Sequence, residues 1–145
     1  MRYRTLVSAA AGMMLAGPAL AQLQTVHVAN PWIRFITPGT PAAGYFTVTN
    51  VGARPVVIVG ASSPECASVM LHRSQNIGGT EHMDEVPSVS VPAHGEVRFE
   101  PGGYHLMCMS PSSKVVPGGR VPVTLTFQDK RTMTQGFAVR GPKGS

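Results

Sequence analysis

Two short segments each set an imidazole beside thioethers. In Tyr104-His105-Leu106-Met107-Cys108-Met109 the period-two alternation of an extended chain puts His105, Met107 and Met109 on one face and Tyr104, Leu106 and Cys108 on the other. In Ser68-Val69-Met70-Leu71-His72 the same alternation gives an apolar face of Val69 and Leu71, with Met70 and His72 opposite. Met83 is a third source of sulfur, following Gly78-Gly79 and His82 in what reads as a hairpin returning toward the strand of His72. Thioether sulfur is a soft, neutral, weak ligand that suits Cu(I), and imidazole accepts both copper oxidation states. Zinc would recruit thiolate or carboxylate partners for its histidines. The donor types therefore point to copper, the reduced ion first.

Extended, rigid elements must position such donors. Between Gly/Pro/Asn turns the chain offers β-rich segments near 26–35, 44–50, 55–61, 68–74, 86–91, 96–100, 104–109, 121–127 and 132–139, the spacing of an antiparallel sandwich or barrel. The clearest is Val121-Pro122-Val123-Thr124-Leu125-Thr126-Phe127, whose odd positions face a core while Thr124 and Thr126 face water. Pro122 sets that strand at an edge or at its own start. If Val69, Leu71 and Leu106 are buried, the donor face looks outward. The composition agrees with a turn-rich all-β domain: 16 Gly and 13 Pro in 145 residues are many for a helical bundle, and 43% apolar residues are too many for a disordered chain.

The first 21 residues read as a secretory leader, with Arg2 and Arg4, an apolar run and Ala19-Leu20-Ala21. The run is shorter than a spanning helix needs, and no cysteine follows Ala21 to carry a lipid. Without the leader the formal charge is +3, and no basic cluster exceeds Lys130-Arg131, which excludes a nucleic-acid partner. Export also bears on the donors, because a thiolate site can be lost to disulfide formation in an oxidising compartment whereas a thioether cannot. Cys66 and Cys108 are expected to pair there, a link that the chain-entropy account values at about 4 kcal/mol.

The spacing His72, ten residues, Met83, twenty-one residues, His105, one residue, Met107 matches the H-x10-M-x21-H-x-M signature of the periplasmic copper chaperones called PCuAC. The surrounding chain resembles that family over nearly its whole length, through Asn30-Pro31-Trp32-Ile33-Arg34, Ala43-Gly44-Tyr45-Phe46, Pro101-Gly102-Gly103-Tyr104-His105-Leu106-Met107 and Val121-Pro122-Val123-Thr124-Leu125-Thr126-Phe127. The resemblance implies an all-β, cupredoxin-like Greek-key sandwich or barrel as a single domain over residues 22–139, after a leader at 1–21 and before a flexible tail at 140–145. It implies Cu(I) held by His72, Met83, His105 and Met107. It further implies a periplasmic carrier of copper; the residues themselves do not point to an enzyme, and a monomer with no membrane anchor after leader cleavage is expected. The implied copper-receiving partners are a CuA-domain subunit of cytochrome c oxidase or a Sco-like protein. A periplasmic scavenger or buffer would use the same residues.

The remaining candidates have plainer readings. Met70 and Met109 lie on the donor faces and either assist the site or shield it, while Met133 reads as packing. His82 points away from Met83 in an extended chain, His94 sits in a turn, and His27 is where a second, weaker Cu(II) site would form. Trp32 reads as a core plug. A blue-copper electron-transfer centre would need Cys108 as a thiolate with a histidine following it, and none follows. No Gly-x-Ser-x-Gly elbow marks a hydrolase.

Overall fold

A computed structural model describes Gly12 and residues 25–145, so the leader expected at 1–21 lies outside the described residues except for Gly12. Ten strands follow in order: β1 Val26–Arg34, β2 Ala42–Asn50, β3 Val56–Ser62, β4 Cys66–Ile77, β5 Thr80–Glu85, β6 Val89–Val91, β7 Gly95–Phe99, β8 Tyr104–Pro111, β9 Arg120–Phe127 and β10 Thr132–Arg140. Among the described residues no helix is long and apolar enough to cross a membrane.

The strands run in the order β5-β4-β8-β7-β2-β1-β10-β9-β3-β6, and β3 pairs back onto β4 at Ala61 and Val69. That contact closes a ring of eight strands, with β5 attached outside β4 and β6 attached to β3. The pairings are antiparallel except β1 with β10 and β7 with β8. Closure removes most free edges. The all-β, cupredoxin-like barrel expected from the sequence is the fold observed.

Alternation built the interior. Val121, Val123, Leu125 and Phe127 of β9 are all buried, and Pro122 occupies the start of the strand, before the stretch that pairs with β3. From β2, Phe46 stacks on Phe99 with ring centres 4.3 Å apart and meets Phe137 edge-on at 5.7 Å. Gly44 also faces inward: a Cβ there would come 3.3 Å from Cβ of Leu106, so glycine lets β2 lie close against β8. Cys66 and Cys108 form the expected disulfide, with Cys108 buried in the core and Cys66 packed against it. Near this link β8 bends at Ser110, whose φ is +47°, between Met109, paired with Ser68, and Pro111, paired with Cys66.

Two sequence expectations need correction. The segment expected at 86–91 is a strand only from Val89, and a separate strand, β5, precedes it with all six residues exposed. It carries no alternation of apolar residues and was visible only as the return arm of a hairpin. Trp32 is not a core plug. A bulge between Ala29 and Trp32, with Asn30 at φ +50°, leaves Ile33 inside and turns Trp32 and Arg34 onto the outer surface. β10 runs through Arg140, and the chain then turns so that a Cβ at Gly144 would lie 3.3 Å from the Trp32 indole.

Candidate metal centre

The register of three neighbouring strands gathers the donors. Across β4 and β8, His72 stands opposite His105 and Met70 opposite Met107, and directly opposed residues project to the same face of a sheet. The β4–β5 hairpin turns through Gly78 and Gly79, both at positive φ, in the two-residue form whose twist suits antiparallel strands. This turn sets Met83 opposite Ser74, two residues from His72 on the same face. His72, Met83, His105 and Met107 thus share the outer surface of β5-β4-β8, with Met70 and Met109 beside them. Leu71, Leu106 and Cys108 fill the core behind.

The exposure of this face is graded, contrary to the outward-looking face that alternation predicts. His105 is only 3% exposed, because Tyr45 of β2 and His72 of β4 flank its ring, with centres 6.4 and 5.5 Å away. His72, Met70, Met107 and Met109 are half-buried, and Met83 is 53% exposed.

The imidazole nitrogens have a definite state. His105 Nδ1–H donates to the Gly103 carbonyl at 3.3 Å, which leaves the lone pair of the neutral ring on Nε2. That Nε2 is buried and without a hydrogen-bond partner, as is Nδ1 of His72. A buried polar atom with no partner carries a desolvation cost of roughly 1–3 kcal/mol, so two on facing rings call for a ligand. The ring centres are 5.5 Å apart and the planes meet at 81°. An imidazole binds a metal at about 2 Å, so each ring centre would stand roughly 3 Å from an ion that both could share. Burial lowers the His105 pKa below 6.5; the Gly103 carbonyl opposes this shift and the neighbouring His72 adds to it. The shift favours the neutral form of the ring, the form that binds metal.

Among the described residues no three His, Cys, Asp or Glu side chains gather to hold a metal ion. The thioethers are the remaining donors around the two rings, a set that fits a soft monovalent ion. Both cysteines are consumed in the disulfide, so the thiolate of a blue-copper centre is missing. His82 is exposed opposite Gln75, His94 is exposed in its turn, and His27 is exposed on β1, so the structure gathers none of these three into the site. Met133 packs against the core.

Tyr45 escaped the sequence reading as part of this surface. Phe46 in the core fixes Tyr45 on the opposite face, but only the register of β2 with β8 brings it to His105. Its phenol is pushed above the usual range by burial, with Arg34 acting against the shift. Arg34 and Trp32 lie beyond it on the same surface.

Comparison with known proteins agrees with this construction. A sequence profile described as "Putative lipoprotein LpqE-like" matches residues 26–139. "Putative lipoprotein Lxx21020" of Leifsonia xyli subsp. xyli is 31% identical over 125 residues, covering 86% of this chain and 75% of its own. Among solved structures, the copper-bound PCuAC domain from PmoF2 superposes with a TM-score of 0.67 at 28% identity, over 81% of this chain and 94% of that one. The solution structure of CuI-DR1885 from Deinococcus radiodurans gives 0.58 at 31% identity, over 79% and 74%. The fold and these likenesses define a domain of the PCuAC class, as the spacing of the motif led us to expect. The chain belongs to the LpqE-like family, whose description, like that of the Leifsonia relative, names a putative lipoprotein.

Proposed function

We propose that this protein is an exported copper chaperone that holds Cu(I) on His72, Met83, His105 and Met107 and hands it to a receiving protein. The CuA centre of cytochrome c oxidase is the proposed destination. The observation that carries the reading is the pair of buried, unpartnered nitrogens, His72 Nδ1 and His105 Nε2, on a surface otherwise supplied with thioethers. Copper in the PmoF2 and DR1885 domains supports it. The lipoprotein names of the relatives support export, with residues 1–21 as the leader.

The metal is cargo in this reading, and the chain's task is to hold and release it. His105 and His72 are the fixed base of the site. Met83 is its accessible side, where an incoming thiolate, which binds Cu(I) more strongly than a thioether, replaces the weakest donor first. The thioethers have no proton to lose when the site loads, and His105, held by the Gly103 carbonyl at Nδ1, already presents the Nε2 lone pair.

The test mixes the Cu(I)-loaded protein with an apo CuA domain and follows the metal. Movement of copper to the acceptor is expected, and retention by this protein would overturn delivery in favour of a buffer. A competitive Cu(I) titration of the intact protein tests the site itself, and failure to compete for Cu(I) would remove the ground for any copper role.

A further inference from the structure

The outer surface that carries the donors continues past them across β2 to β1 and β10. Tyr45 stands opposite Trp32, Ala43 opposite Arg34, and Arg34 opposite Arg140. Ala43 is also opposite Met107, which places Arg34 two strands, about 10 Å, from that thioether. Both guanidinium groups lie over the same indole, Arg34 at 5.5 Å and Arg140 at 5.1 Å from the Trp32 ring centre, and Arg34 is also 5.3 Å from that of Tyr45.

Like charges opposed on neighbouring strands repel. A pair of this kind is usually relieved by a carboxylate, yet the three ion pairs among the described residues are Arg98 with Glu96, Lys114 with Glu65 and Arg131 with Asp129. None involves Arg34 or Arg140. Nε of Arg34 is moreover buried and has no hydrogen-bond partner. The aromatic faces hold the two cations in place, but among the described residues no carboxylate pairs with either guanidinium.

We infer that Arg34, Arg140 and Trp32 form a docking patch for an acidic segment of the protein that exchanges copper with this one. The inference rests on the proposed copper function for the partner's purpose, though not for the patch's chemistry. Two guanidinium forks present the planar donor pattern that carboxylates match. The position brings the partner's acidic residues down beside the metal face, so that its own metal-binding atoms meet Met83, Met107 and His72. Glu81 and Glu85, on the same face of β5 and on either side of Met83 along the strand, would be pressed against any uniformly anionic lipid surface laid across this side. A protein can match both flanks; a bilayer cannot.

Trp32 is the only tryptophan in the chain, so its fluorescence reports the patch directly. The experiment uses the metal-free full chain titrated with hexaglutamate, which separates the outcome from any failure of copper binding. Saturable change in Trp32 emission is expected, lost at about 1 M salt where the screening length shrinks to about 3 Å. Arg140→Gln and the double variant Arg34→Gln/Arg140→Gln should weaken it, the double by about tenfold or more. Lys114→Gln, removed from the patch in sequence and already paired with Glu65, should leave it unchanged. Thermal unfolding checks that each variant is folded, and Arg140→Gln carries the test alone if the double variant is not. Absence of binding, or equal weakening by Lys114→Gln, would overturn the proposal. A response to phosphatidylglycerol vesicles but not to hexaglutamate would replace it with a membrane surface. Cu(I) affinity of Arg140→Gln should equal that of the parent, and a comparable loss there would reassign Arg140 to the metal site.

Discussion

The donor surface has two unlike halves. The β4–β8 half holds His72, His105 and Met107 on strands that pair along seven registered positions, with the Cys66–Cys108 disulfide tying the same two strands together from the core side. The β5 half holds Met83 on a strand exposed along its whole length and, among the described residues, paired on one side only. One half is fixed by burial and by a covalent link; the other is joined to the barrel by a single ladder. A carrier needs both, because a site rigid on every side releases slowly and a site mobile on every side holds poorly.

That contrast can be broken from the fixed side first. Replacing both cysteines by serine should cost about 2–5 kcal/mol of stability, seen as a lower denaturation midpoint, and should loosen metal binding as a secondary effect. Unchanged stability would mean that the strand pairing alone holds the donors. His105→Ala comes next. Altering an outer-shell partner of a ligand commonly costs 10–100-fold in metal affinity, so removing His105, the proposed buried ligand, should cost on the order of 100-fold or more in a competitive Cu(I) titration. A change below about threefold there would remove His105 from the ligand set.

Met83→Leu probes the exposed side. It should lower Cu(I) affinity by about tenfold and speed release to an acceptor, while stability stays within about 0.5 kcal/mol because the side chain is exposed. A stability loss larger than that would show the hairpin to be structural. The smallest effect expected is on pH. With its folded pKa lowered by burial, neutral His105 contributes stability that is fully present above 6.5 and is lost as pH falls through the folded value. Acid should therefore weaken folding of the metal-free protein less steeply in His105→Gln than in the parent. An NMR titration that places the His105 pKa at or above 6.5 would contradict the burial argument.

The sequence disclosed these two halves unequally. Strands with one apolar face were readable because burial selects the residues: β9 alternates Val121, Val123, Leu125 and Phe127 with polar or turn-forming positions, and its expected faces are the observed ones. β5 offered no such pattern, since neither of its faces is covered, and only the Gly78-Gly79 turn betrayed it. Alternation also gave the correct side for His105 but the wrong exposure. A period of two says which face a residue takes and nothing of what lies beside it, and Tyr45 arrives from a strand 60 residues away in sequence by long-range register. Trp32 was misassigned for a related reason: the bulge at Asn30 resets the alternation just before it, and large aromatic residues are ordinarily assigned to cores.

The free side of β5 has a cost of its own. An outermost strand offers a row of unpaired backbone groups to any other extended chain, the usual starting point for edge-to-edge association. The proposed transfer, in which an acceptor reaches Met83, requires leaving that row open. Glu81, Asp84 and Glu85 crowd the six-residue strand with like charge, so a second copy approaching along the same edge meets repulsion before it meets hydrogen bonds. The acidic residues around the most accessible donor thus act as a guard against self-association, and neutralising them should cost solubility before it costs metal.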